Sequence, residues 1–247
     1  MTRLTACPDA ETVARRAAAH IARQLAHARE QRGVAHLALS GGTTPGRTYE
    51  LLGAEPAALA GVELWFADER CVGPEDPESN YRLVAETLLA AGALPHERVH
   101  RMQGELGPHE GAARYAAELA ARVLAEPPGA GGRSASVPVL DLVVLGIGPD
   151  GHVASLFPGA ATLEADRSAV CLGVEDSPKP PPQRITLSLA VLLAARECVL
   201  LATGASKADA LAAMLGQPSP HVPASLLRRE RLTVLADDAA APAAPPR

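Results

Sequence analysis

The sequence predicts an α/β protein with a mostly parallel central sheet and helices on both faces of that sheet. Apolar, strand-like runs alternate with helical patterns along the chain, which is typical of a Rossmann-like architecture. Three predicted strands end in Gly-rich or polar loops. We assign residues 1–237 to a single domain and the Ala- and Pro-rich residues 238–247 to a frayed tail.

The first predicted unit is a helix followed by a strand and a Gly-rich loop. The helix begins after Asp9, which is placed to cap it, and ends before Gly33. Residues 34–39 form a short apolar strand that runs into the loop 40–46. The next helix is predicted to begin near Pro45, because proline suits the first turn of a helix.

A second unit repeats this order. Residues 62–67 predict a strand, and the polar residues 68–70 follow where it ends. Helical patterns cover residues 79–91 and 110–124, and the Gly- and Pro-rich residues 127–137 predict a surface loop.

The clearest strand covers residues 139–145. It is nearly all apolar, as expected of a strand covered on both faces of a parallel sheet. It ends in the constrained stretch Gly146–His152, whose sequence is GIGPDGH. Further strands are predicted over residues 169–172, 184–189, 198–203 and 231–235, and further helices over 205–215 and 224–228.

The loops at the ends of these strands are expected to meet. Sites in parallel sheets lie beyond the carboxyl ends of the strands. Loops 40–46, 68–70 and 146–152 therefore converge on one crevice, although they are far apart in the sequence.

Composition excludes several classes of protein. The net charge of −5 and the 2% aromatic content disfavour a nucleic-acid partner. The four cysteines are scattered and no Cys/His cluster accompanies them, so no metal site is expected. Without an apolar leader or a membrane-length apolar run, we expect a cytoplasmic protein with free thiols.

Two strand-end loops suggest an anion site. The first can turn backbone N–H groups and hydroxyls toward an anion at a helix N-terminus; it consists of Ser40, Gly41, Gly42, Thr43 and Thr44. It matches neither a Walker A loop nor a dinucleotide fingerprint, and an ordinary capped turn is the alternative. Lys207 lies in the first turn of another predicted helix, where a cation is unfavourable unless an anion accompanies it.

Two other loops carry candidate catalytic groups. His152 can act as a general base near neutral pH, and Asp150 is close enough in sequence to orient it. Asp68 and Arg70 add an acid and a base at a second strand end; the arginine could bind phosphate or polarise a carbonyl. The structural alternatives are a helix-capping histidine and a surface ion pair. No Cys–His signature supports the adjacent Cys71 as a nucleophile.

Taken together, these segments resemble the 6-phosphogluconolactonase family. The ordered motifs span almost the whole chain, with GIGPDGHVASLFP as the most specific; they are LSGGTTP (39–45), DER (68–70), SNY (79–81), LGIGPDGHVASLFP (145–158), RITL (184–187) and GASKA (204–208). The family often has Ser where Thr43 stands and Thr where Val153 stands.

The resemblance implies hydrolysis of 6-phosphoglucono-δ-lactone in the oxidative pentose phosphate pathway, without cofactor or metal. It implies that His152 activates water and that the Ser40–Thr44 loop, Arg70, Arg184 and Lys207 contact substrate or phosphate. The expected partner is therefore a phosphorylated sugar lactone, bound by a monomer or small homo-oligomer.

Two other functions fit parts of the pattern. A glucosamine-6-phosphate deaminase would share the phosphate loop, the histidine and the lysine, but residues 68–70 and the ASLFP continuation favour the lactonase. A non-catalytic sugar-phosphate sensor would not need His152.

Overall fold

The computed structural model describes residues 3–92, 94–125 and 137–242. The strands are β1 (Arg3–Cys7), β2 (Ala35–Leu39), β3 (Val62–Phe66), β4 (Asp68–Arg70), β5 (Leu142–Gly146), β6 (Cys171–Val174), β7 (Arg184–Leu187), β8 (Glu197–Ala202) and β9 (Leu232–Asp237). The α-helices are α1 (Ala10–Arg32), α2 (Thr43–Gly53), α3 (Pro56–Leu59), α4 (Asn80–Thr87), α5 (Pro108–Arg122), α6 (Leu189–Ala194) and α7 (Ala208–Leu215). Short 3₁₀ segments include Ala205–Lys207 and Pro223–Leu226.

Six strands form the central sheet in the order β1-β9-β8-β5-β2-β3. Every neighbouring pair in it is parallel, so the predicted α/β, mostly parallel architecture is confirmed. All residues of β9 and the first four of β5 are buried, which requires cover on both faces.

Helix α1 shows how local sequence builds this core. Asp9 accepts a hydrogen bond from the Thr12 backbone N–H at 2.7 Å, and Gly33 ends the helix with a φ of 78°. These two residues were the predicted caps. The apolar face of the helix, including Ile21 and Leu25, is completely buried and packs on β2 and β9.

A second sheet departs from the prediction. Residues 68–70 were predicted as a strand-end loop, but they form β4 in an antiparallel three-stranded sheet of order β4-β7-β6. Asp68 pairs with Thr186, and Arg70 pairs with Arg184. A polar tripeptide carries no strand pattern of its own, so this pairing depends on a distant segment of the chain.

Other differences concern short or edge elements. Strand β1 and helices α3 and α6 were not predicted, and α4 ends at Thr87 although the helical pattern was predicted to continue to residue 91. Residues 127–136 of the predicted surface loop lie outside the described residues. Of the predicted tail, residues 238–242 are described, and Ala240 is fully buried there. No helix in the described part of the chain is long and apolar enough to cross a membrane.

Candidate active site

One cleft lies at the carboxyl ends of β2, β5 and β8. Its volume is about 190 Å³, below the ~300–1,000 Å³ typical of sites for drug-sized ligands, so it suits a small molecule of monosaccharide size. Its lining includes every predicted site residue except Asp150: Ser40, Gly41, Gly42, Thr43, Thr44, Asp68, Arg70, His152, Arg184 and Lys207. Asn80 and Lys179 also line it.

The loop from Ser40 to Thr44 presents unused hydrogen-bonding groups. Helix α2 starts directly after Gly42, with no side chain capping its first N–H groups and no acid in its first turn. The Ser40 hydroxyl is buried without a hydrogen-bond partner among the described residues, while its carbonyl accepts from the Tyr49 hydroxyl at 2.7 Å. A helix start with free donors suits an anion.

His152, Asp150 and Lys179 are joined by short contacts, and the first and last of them line the cleft. His152 Nδ1 lies 2.6 Å from Asp150 Oδ1. The Lys179 ammonium lies 3.2 Å from the same oxygen and 3.3 Å from His152 Nδ1. The His152 side chain is only 16% exposed.

This geometry determines which nitrogen of the His152 imidazole carries the proton. Although burial opposes ionisation, hydrogen bonds and charge from His152 and Lys179 leave the pKa of Asp150 below its ordinary value. A contact of 2.6 Å with an ionised carboxylate needs a proton, which places it on Nδ1. The neutral ring then keeps its lone pair on Nε2. Burial lowers the pKa of His152, although Asp150 opposes that effect, so the neutral base persists to more acidic pH.

The residues around His152 explain the rest of its motif. A Cβ atom on Gly148 would lie 2.0 Å from His152 Nδ1 and 2.4 Å from Asp150 Oδ1, so only glycine leaves room for the pair. The Phe157 ring packs against His152 with centroids 4.7 Å apart. The Ser155 hydroxyl donates to Asp68 Oδ2 at 2.8 Å, which connects the histidine loop to β4.

The three residues of β4 have different surroundings. Glu69 is buried, and its carboxylate accepts from the Ser79 hydroxyl and from the backbone N–H groups of Arg70, Asn80 and Tyr81. Glu69 therefore holds the start of α4. Asp68 and Arg70 line the cleft instead. The buried Arg70 Nε has no partner among the described residues.

Arg184 uses most of its donors inside the protein. Its Nε donates to the Pro181 carbonyl, and Nη2 donates to the carbonyls of Lys179 and Pro180, at 3.1–3.2 Å. The guanidinium also lies over the Phe157 ring, 5.7 Å from its centroid. Arg184 thus holds the segment that carries Lys179, and within the described structure only Nη1 remains for a ligand.

The ammonium group of Lys207 lies in the field of Lys179 and Asp150. Burial lowers the pKa of Lys207, the positive charge of Lys179 lowers it further, and Asp150 opposes both effects. An anion bound beside Lys207 would favour the charged form of that lysine.

Two cleft residues with polar side chains, Asn80 and Lys179, were missing from the sequence-based site. Asn80 donates to the Asp68 carbonyl at 2.8 Å, and a Cβ atom on Gly41 would lie 1.8 Å from Asn80 Oδ1. Asn80 therefore packs directly on the glycine loop. One signal could have revealed Lys179: among the 23 Lys and Arg residues, only Lys179 and Lys207 are lysines.

The thiol beside this site is unsuited to nucleophilic chemistry. Burial, with a smaller contribution from Glu69, raises the pKa of Cys71 to about 11. Because the thiolate is the reactive form, Cys71 stays inert near neutral pH.

The fold and the cleft place the chain among α/β proteins whose small-molecule site lies at the carboxyl ends of parallel strands. More narrowly, the chain belongs to the family of glucosamine-6-phosphate isomerases and 6-phosphogluconolactonases, whose family model matches residues 8–235.

Relatives and solved structures agree with this membership. A 6-phosphogluconolactonase of Streptomyces coelicolor is 40% identical over 94% of this chain and 91% of its own length. The human 6-phosphogluconolactonase is 40% identical over 76% of this chain and 70% of its own length. The structure of 6-phosphogluconolactonase from Trypanosoma brucei superimposes with a TM-score of 0.86 at 27% identity, covering 97% of both chains.

Proposed function

We propose that this chain hydrolyses 6-phospho-D-glucono-1,5-lactone to 6-phospho-D-gluconate in the oxidative pentose phosphate pathway, with His152 as the general base. Relatives with this activity in their names match most of the chain. The observation that carries the catalytic assignment is the 2.6 Å contact between His152 Nδ1 and Asp150, in a cleft that also presents an anion site.

The reaction begins with a water beside His152 Nε2. The imidazole takes a proton from this water as its oxygen attacks the lactone carbonyl carbon. The tetrahedral intermediate collapses, the bond to the ring oxygen breaks, and the imidazolium returns the proton to that oxygen. The products are a carboxylic acid, which ionises at neutral pH, and a free hydroxyl. Asp150 stabilises the transient imidazolium and keeps the proton of the neutral ring on Nδ1.

Two groups of β4 serve the reacting end of the substrate. Arg70 lines the cleft, and its buried Nε–H has no partner among the described residues; we assign its guanidinium to the oxygen that gains negative charge in the intermediate. Asp68 already accepts from Ser155, and we assign its carboxylate to a sugar hydroxyl. Asn80 holds Asp68 in place through the Asp68 carbonyl.

We assign the phosphate of the substrate to a second group of donors, which is separate from β4. The Ser40–Thr44 loop offers an unpartnered buried hydroxyl and the free start of α2. Lys207 supplies the charge, and Arg184 Nη1 is a second donor. Binding remote from the carbonyl orients the lactone for attack.

Lys207→Ala is expected to weaken binding of 6-phosphogluconate by about one to two orders of magnitude. The reason is that a hydrogen bond to a charged group contributes about 1.5–3 kcal/mol. Calorimetric titration with 6-phosphogluconate measures the loss directly.

The matched comparison uses glucono-δ-lactone without phosphate. Since this substrate lacks the contact, Lys207→Ala should hardly change its kcat/KM. An equal loss on both lactones would assign Lys207 to the reacting centre or to the fold.

The purified enzyme is expected to keep its full activity after exhaustive chelation. Among residues 3–92, 94–125 and 137–242, no group of three His, Cys, Asp or Glu side chains could hold a metal ion, and the proposed base needs none. Lactonase rates before and after treatment with a chelator test this. Loss of activity that a divalent ion restores would contradict the mechanism.

A single comparison tests the function itself. Lactone hydrolysis above the spontaneous rate and ammonia release from glucosamine 6-phosphate are measured on one sample. We expect the first activity alone. Ammonia release would favour the deaminase, and the absence of both activities would favour a sugar-phosphate sensor.

We further propose that the protein works in the cytoplasm as a monomer or small homo-oligomer, with no nucleic-acid partner. The free thiols of all four cysteines support a reducing compartment, and the net charge of −5 disfavours a nucleic-acid partner. Light scattering on the purified protein determines the oligomeric state.

A further inference from the structure

Lys179 is held more firmly than its loop position suggests. The Ser177 hydroxyl donates to the Lys179 carbonyl at 2.9 Å, and the Lys179 backbone N–H lies 3.2 Å from the same hydroxyl. Arg184 Nη2 donates to that carbonyl at 3.2 Å. The backbone is thus restrained on both sides, which limits where the side chain can reach.

The ammonium group of Lys179 meets the two residues that control proton transfer. It donates to Asp150 Oδ1 at 3.2 Å and lies 3.3 Å from His152 Nδ1. Because Nδ1 carries the proton shared with Asp150, the contact between lysine and histidine is a repulsion between positive groups whenever the ring becomes charged. Asp150 therefore interacts with both side chains through one oxygen.

We propose that Lys179 is a positioning residue that keeps Asp150 ionised and His152 neutral, and that it thereby sets the acidic limit of the enzyme's activity. This inference rests on the proposed role of His152 as the base. In this proposal Lys179 does not touch the reacting atoms, and it acts through Asp150 and His152.

The charges around His152 determine the direction in which Lys179 shifts the protonation of the ring. Asp150 on its own loop and Asp68 on β4 favour the imidazolium, whereas Lys179 from the segment between β6 and β7 opposes it. Phe157 covers the ring without charge. Burial is the largest effect and also favours the neutral ring. Removing the ammonium leaves burial alone to oppose the two carboxylates, so the ring becomes protonated at a higher pH and the base is lost earlier on acidification.

The test compares Lys179→Met with Lys179→Arg, which retains the charge. Profiles of kcat/KM against pH are recorded for both variants and the wild type. We expect Lys179→Met to lose about fivefold more activity at the acidic end than at the alkaline end, the factor expected for repulsion between unit charges 4 Å apart in water. Lys179→Arg should keep the acidic limb of the wild type. Thermal unfolding confirms that both variants fold.

An NMR titration separates this inference from the lactonase assignment. The imidazole C–H signal of His152 is assigned by its loss in His152→Gln and followed against pH without substrate. We expect its midpoint to rise in Lys179→Met and to stay near the wild-type value in Lys179→Arg, whatever reaction the enzyme catalyses. An unchanged midpoint in Lys179→Met overturns the inference. A pH-independent loss of kcat/KM in Lys179→Met that is confined to the phosphorylated lactone also overturns the inference, because it would make Lys179 a phosphate ligand.

Discussion

His152→Ala is expected to lower kcat/KM for the phosphorylated lactone by roughly 10²–10⁴-fold, the usual contribution of a positioned general base. The variant should fold, because the ring lines the cleft and its loop is also held by backbone hydrogen bonds between Gly148 and His152 and between Gly151 and Gly148. Rates are measured against the spontaneous hydrolysis of the lactone, and circular dichroism checks the fold.

His109→Ala is the matched control for this substitution. His109 is an exposed histidine on α5 that pairs with Glu175, and neither residue lines the cleft, so its removal should leave turnover unchanged. If His152→Ala keeps near-wild-type turnover, another group must activate the water and the assignment of the base is wrong.

Gly148→Ala is expected to cost about 100-fold in kcat/KM with little change in melting temperature. The added Cβ atom would lie within 2.4 Å of both His152 and Asp150. These side chains can rotate away at small cost to the fold, but the pair then leaves its catalytic position, and a misplacement of ~1 Å can lower a rate about 100-fold. Steady-state kinetics and thermal unfolding on the same preparation separate the two effects.

Gly53→Ala is the contrasting control, because it is expected to lower stability and not activity. A Cβ atom there would lie 2.5 Å from the Leu88 carbonyl oxygen and 2.9 Å from its Cα, and backbone cannot rotate aside. This variant should unfold at a lower temperature but show normal kcat/KM while folded. If Gly148→Ala instead loses stability and keeps its specific activity, the steric argument for the catalytic pair is incorrect.

Local patterns predicted the parts of the fold that depend on local physics. The caps of α1 at Asp9 and Gly33 follow from side-chain hydrogen bonding and from the freedom of glycine at positive φ. The apolar run of β5 predicted a strand covered on both faces, and the structure confirms it. The antiparallel sheet was not predicted, because β4 is a polar tripeptide whose strand state depends on pairing with β7.

The candidate site also has features that the sequence predicted and features that it did not. Gly-rich and polar strand ends identified His152, Asp150, Lys207 and the Ser40–Thr44 loop, since parallel strands bring their carboxyl ends to one edge. Sequence could not separate the tasks within residues 68–70. Glu69 anchors α4 while Asp68 and Arg70 face the cleft, and alternation along a strand has that result only once the strand has a partner.

The sequence by itself determined most of the strands and the longer helices, the loops that carry the candidate groups, and the histidine to which the resemblance assigns the activation of water. These depend on hydrophobic periodicity, glycine and proline, which act over a few residues. Only the tertiary structure decided that Lys179, 27 residues beyond His152, lies 3.3 Å from its ring, and that Arg184 supports that lysine's loop. Such contacts depend on how packed elements bring distant segments together, and short-range sequence patterns do not contain that information.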